Sequence, residues 1–137
     1  MSDTPLAKAR ARPVYRNIGF GDLAHYRLPI PGMASIVHRV TGLAMFVCLM
    51  FLLAMLQMSL KSEAGFEAFR SVVWGNPIAK LVLIGLLFAL IYHLVAGIRH
   101  MIQDANIWLD LAAARGSAFA MFGISIALTA VVVWRLV

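Results

Sequence analysis

Two short blocks of the chain hold the side chains that could do chemistry. The first contains Ser35, His38, Arg39 and Gly42; the second contains His93, Gly97, Arg99, His100 and Asp104. His93 lies inside an apolar run from Leu81 to Ile98. A charged side chain at the centre of a membrane span costs about 2.5–3.5 kcal/mol on insertion scales, so ionisable groups there usually serve a function. A neutral imidazole costs less but still needs a partner. Depth alone leaves two readings of equal weight for His93: an axial ligand to haem iron, or a ring hydrogen-bonded to a neighbouring helix.

Helical spacing relates the other residues to His93. His93 and His100 are seven apart, so they share a helix face and differ by about 10.5 Å along the axis. Gly97 lies between them on that face, and Gly42 stands four residues after His38, so the pattern H-x-x-x-G occurs twice. A missing side chain one turn from a histidine leaves room for a flat macrocycle against the backbone. It equally permits close helix–helix packing. His38 and His100 fall near the ends of their apolar runs, where a polar ring is cheap. The sharper reading for both is hydrogen bonding to haem propionates, with Arg39 or Arg99 offsetting the negative charge. Ser35 and Arg39 are four apart and face the same way. A hydroxyl and a guanidinium so placed could bind a quinone carbonyl oxygen, where a fixed cation stabilises the charge that develops on reduction. The plainer alternative is that Arg39 snorkels to headgroups while Ser35 caps or packs.

These side chains must be positioned by membrane helices. The chain has 137 residues, 62% hydrophobic and 13% charged, with mean hydropathy +0.86. Soluble domains carry roughly 25% charged residues. Three apolar stretches, at about 36–60, 78–98 and 117–133, suit spans of about 20 residues. The expected class is therefore an all-α membrane protein of three transmembrane helices. A basic, irregular arm over 1–31 precedes a three-helix anchor over 32–137. Pro31 or Gly32 should open the first helix. The segment 62–76 is too polar to span and suits a short amphipathic segment at the membrane interface, carrying Phe66, Phe69, Val72, Val73 and Trp74. Asn76-Pro77 opens the second long helix, which runs to Asp104 or Asp110; the third starts near Ser117. Asp104 and Asp110 could pair with Arg99, Arg115 or the arm, although surface pairs of this kind are weak.

Composition also excludes functions. Cys48 is the one cysteine, so the chain can neither close an internal disulfide nor hold a four-cysteine iron–sulfur cluster. The net charge of +6 is accounted for by topology rather than by nucleic acid. Lys8, Arg10, Arg12, Arg16, Arg27, Arg39, Arg99 and Arg115 lie on one side, and Lys61, Arg70, Lys80 and Arg135 on the other. That bias puts the N-terminus in the cytoplasm or matrix. It also places three of the four histidines, His38, His93 and His100, in the same half of the bundle.

The two blocks carry a resemblance. Ser35-Ile36-Val37-His38-Arg39-Val40-Thr41-Gly42 resembles the S-I-x-H-R-x-[ST]-G motif of the cytochrome b556 subunits of succinate dehydrogenase, respiratory complex II. His93-Leu94-Val95-Ala96-Gly97-Ile98-Arg99-His100 resembles that family's H-x-x-x-G-I-R-H motif, and Asp104, Arg12-Pro13 and Leu28-Pro29-Ile30 also fit. The resemblance covers about residues 11–137. It implies a membrane anchor that shares b-type haem with a second anchor subunit. It further implies a flavoprotein subunit carrying FAD, an iron–sulfur subunit, ubiquinone as electron acceptor, and no catalysis by this chain alone. Carried onto these residues, His93 becomes the axial haem ligand and Ser35 and Arg39 the quinone site. His38 lies near a haem propionate, His100 and Asp104 take less definite roles, and the location is the bacterial inner membrane, with the mitochondrial inner membrane as the alternative. Against it stand a haem-free structural anchor and an unrelated three-span scaffold whose histidines relay protons.

Overall fold

The computed structural model describes residues 19–136. It contains five helices in chain order: α1 (Phe20–His25), α2 (Ile30–Lys61), α3 (Glu63–Gly75), α4 (Pro77–Asp104) and α5 (Leu111–Leu136). No strand occurs among the described residues. Helices α2, α4 and α5 are each long and apolar enough to cross a membrane. At 1.5 Å per residue the 32 residues of α2 extend about 48 Å, well beyond a hydrocarbon core of about 30 Å.

Local sequence explains each boundary. Pro31 sits in the first turn of α2, where its missing N–H costs no hydrogen bond. Ser62 ends α2 and caps α3, accepting a hydrogen bond from the Gly65 N–H at 3.0 Å. Asn76 caps α4 through its side-chain oxygen, which accepts from Ile78 and Ala79, with Pro77 at the first helical position. Lys80 places its ammonium 5.4 Å from the centre of the Trp74 ring and so ties the start of α4 to the end of α3.

Two expectations need correction. Part of the arm expected to be irregular forms α1; residues 1–18 lie outside the described residues. The last helix begins at Leu111, six residues before Ser117. The reason is Asp110. Its carboxylate accepts from the Ala113 N–H at 2.9 Å and its carbonyl from Ala114, so the carboxylate caps a helix and makes no ion pair among the described residues. Among the described residues the one ion pair is the exposed Arg70–Glu67 contact. Positive φ at Asn106 and Trp108 turns the chain between α4 and α5.

Helix α4 is central, packed between α2 and α5 and antiparallel to both. The core is thin and built from small residues, Ala34, Ala89, Ala96 and Ala118, around Tyr92 and Met121. Small side chains let helices approach closely where no water drives them together. Tyr92 is wholly buried, and its hydroxyl donates to the Ala34 carbonyl at 3.0 Å, joining α4 to α2. On the α5 side, Ser125 and Thr129 satisfy their hydroxyls on carbonyls one turn back.

Arg99 fastens α4 to α5. Only 4% exposed, it donates from Nε to Ser117 Oγ at 3.0 Å and from Nη2 to the Ala114 carbonyl at 3.1 Å. Its guanidinium therefore serves the α4–α5 contact. Replacing Arg99 with Ala removes two charge-assisted hydrogen bonds and leaves a void. It should destabilise the folded chain by about 3 kcal/mol, read as thermal unfolding in detergent. Wild-type stability in that variant would contradict the clamp.

Candidate functional site

Antiparallel packing of α2 and α4 brings His38, His93 and His100 together. The rings of His38 and His93 stack with centroids 4.0 Å apart and planes 29° apart; His38 and His100 are 5.1 Å apart at 40°. His38 thus stands between the two α4 histidines, which are themselves two helical turns apart.

The two H-x-x-x-G patterns interlock across the helices. A Cβ added at Gly42 would lie 2.8 Å from Cε1 and 3.3 Å from Nδ1 of His93. The glycine of α2 is therefore the seat of the imidazole from α4. The reciprocal pair is looser, since a Cβ at Gly97 would meet His38 Nε2 at 3.9 Å, an ordinary contact. At Gly42 a histidine ring from the opposite helix fills the place of a side chain, whereas Gly97 leaves room beside His38.

Hydrogen bonding selects the tautomer of a neutral His93 ring. Its Nδ1 lies 3.0 Å from the His38 carbonyl and 3.3 Å from Thr41 Oγ1. Thr41 donates its own proton to that same carbonyl at 2.8 Å. Toward His93 the hydroxyl can then only accept, as the carbonyl must. Both neighbours of Nδ1 being acceptors, Nδ1 carries the proton and Nε2 carries the lone pair. Nε2 makes no hydrogen bond to the described residues, and His93 as a whole is half-buried. A neutral imidazole with Nε2 unprotonated is a metal-binding donor.

His38 Nε2 differs. It is the one buried side-chain nitrogen or oxygen among the described residues that lacks a partner. Such orphans are uncommon in native structures and mark a place for a further polar group.

The remaining predicted residues group around this cluster. Ser35 is half-buried and Arg39 exposed, adjoining His38 on α2. His100 is half-buried. Asp104 is exposed at the last position of α4, where a carboxylate faces the negative end of the helix dipole and gains nothing from it. Arg99 is not aimed at the histidines, as the fold already requires. Thr41 was absent from the sequence-derived set although it stands between His38 and Gly42. Its signal was available as a buried hydroxyl next to a seat glycine, but its partner lies 52 residues away.

Fold and site define a small membrane protein of three spans whose polar side chains gather where α2 begins and α4 ends. The sequence profile of the succinate dehydrogenase/fumarate reductase transmembrane subunit matches residues 9–132. Among curated proteins, the succinate dehydrogenase cytochrome b556 subunit of Coxiella burnetii is 32% identical over 114 residues, covering 82% of this chain and 91% of that protein. The cytochrome b556 subunit of Paracoccus denitrificans is 33% identical, covering 75% and 78%. The cytochrome b560 subunit of Reclinomonas americana is 31% identical, covering 78% and 77%. The chain belongs to the succinate dehydrogenase/fumarate reductase transmembrane subunit family.

The unequal glycine contacts give a paired test. Gly42→Ala forces a methyl into the His93 ring and should cost about 1–3 kcal/mol of thermal stability in detergent. Gly97→Ala meets only ordinary contact and should be neutral or mildly stabilising. Equal effects at the two positions would contradict the seating.

Proposed function

We propose that this chain is one of two membrane-anchor subunits of a succinate:quinone oxidoreductase, and that it contributes an axial ligand to b-type haem and part of the ubiquinone-reduction site. The observation that carries this reading is the His93 imidazole on an apolar helix, its Nδ1–H held by two acceptors and its Nε2 without a hydrogen bond to the described residues. Among the described residues no three His, Cys, Asp or Glu gather to hold a bare ion. A single imidazole would suit haem iron, with a further ligand coming from the other anchor.

The residues present fit such a group. His93 would hold the iron through Nε2. His38 Nε2, buried and unpartnered, would pair with a haem propionate, and His100 beside it would do the same or support it. Haem bound here supplies a one-electron carrier within the membrane. Arg39 is a permanent cation close by, and Ser35 is a hydroxyl donor one turn away. Together they would bind a quinone carbonyl oxygen and stabilise the negative charge that develops on it as electrons arrive.

The chain carries no flavin motif, cluster ligands or dicarboxylate site in its sequence. Succinate oxidation accordingly belongs to a flavoprotein subunit, and transfer to the membrane to an iron–sulfur subunit docked at the end where α2 begins. The excess of Lys and Arg toward that end favours a cytoplasmic N-terminus in a bacterial inner membrane.

His93→Ala should abolish the b-type α-band in the reduced-minus-oxidised spectrum of the purified complex. A full band in that variant would remove His93 from the ligand set. Arg39→Ala should lower succinate:quinone reductase activity about tenfold or more. Electron transfer from succinate to a soluble dye should persist in the same preparation; parallel loss of both activities would point to assembly instead.

A further inference from the structure

We propose that Thr41 is the positioning residue of the His93 imidazole, and that its hydroxyl tunes the reduction potential of the iron that His93 holds. The inference rests on the haem-ligand reading above and goes beyond it. Three observations carry it. Thr41 is buried in the α2–α4 contact although its side chain is polar. Its hydroxyl is committed as a donor to the His38 carbonyl, at 2.8 Å. Its remaining lone pairs face His93 Nδ1 at 3.3 Å, so the Nδ1–H is shared between the hydroxyl and that carbonyl.

The brace does two things. Two acceptors at one edge of the ring exclude the tautomer with its proton on Nε2, and so keep the metal-binding nitrogen unprotonated. They also draw the Nδ1 proton toward oxygen, which strengthens Nε2 as an electron donor to a metal. A stronger donor favours ferric over ferrous iron and lowers the potential. Gly42, next in sequence to Thr41, sets the height of the ring above α2, so the two residues fix orientation and distance separately.

The test compares Thr41→Val with Thr41→Ser in the intact, purified complex. Val keeps the shape and loses the hydroxyl; Ser keeps the hydroxyl and loses the methyl. Haem content per complex and the haem midpoint potential are measured by redox titration of the α-band. Thr41→Val should reduce the preference for ferric haem by up to tenfold, an upward shift of up to about 59 mV for one electron. It should also lower haem retention, as loss of a hydrogen bond to a metal-bound histidine does. Thr41→Ser should match the wild type in both readouts. The reverse pattern, with Ser perturbed and Val unchanged, would overturn the proposal, since it marks a side chain that only fills space. So would equal potentials in all three proteins, or failure of both variants to assemble. A wild-type complex with no b-type band overturns the haem reading itself, and is recognised before any variant is made.

Discussion

The constraint on which the site depends is the close approach of α2 and α4 at Gly42. The His93 ring rests against the place where a Cβ would stand, and there its Nδ1–H reaches the His38 carbonyl. That carbonyl is in an α-helix. It therefore serves its own helix, the Thr41 hydroxyl and a side chain from the facing helix together. The small residues Ala34, Ala89 and Ala96 and the Tyr92 hydrogen bond to α2 hold the two backbones at the separation that makes this sharing work. Without a hydrophobic driving force between helices in lipid, such packing and hydrogen bonds provide the association energy.

The convergence of His38, His93 and His100 was legible in the sequence. Antiparallel spans place residues near the start of one helix beside residues near the end of the next, and a spacing of seven keeps two of the histidines on one face. The family was legible too, because its two motifs are contiguous blocks. What was not legible was register across the helices. Spacing says which residues share a face of one helix, but not which residue of the facing helix each one meets. Gly42 was therefore read with His38, its neighbour in sequence, while its contact is His93. Thr41 was named only as a motif position for the same reason, and Arg99 was read as offsetting propionate charge, whereas within the chain its hydrogen bonds reach α5.

Helix boundaries failed where hydropathy is a poor signal. The first turns of α5 contain Ala113, Ala114, Arg115 and Gly116, which do not read as a span. Their helix exists because Asp110 caps it and because Ala114 and Ser117 face Arg99. The segment over 62–76, read as amphipathic and too polar to span, proves to be the helix α3, with Ser62 capping its start. The faces of α2 carry a different message. The most apolar stretch of this helix has no residue buried within the chain, whereas α4 and α5 do bury part of theirs. Leu43, Phe46, Val47 and Met50 face outward. The α2 surface is thus given over to lipid and to whatever docks against the His93 side of the bundle.

The Arg99 clamp bears on how the chain reaches the membrane. An arginine entering lipid on a solitary helix carries its full desolvation cost, and α4 on its own offers it no acceptor outside the helix. The acceptors are Ser117 Oγ and the Ala114 carbonyl, both on α5 and only 15 to 18 residues further along the chain. The helix that carries the charge and the helix that shelters it are thus consecutive products of synthesis, joined by a short turn. They are suited to leave the insertion machinery as a pre-paired hairpin, with α2 docking afterwards onto a surface already formed.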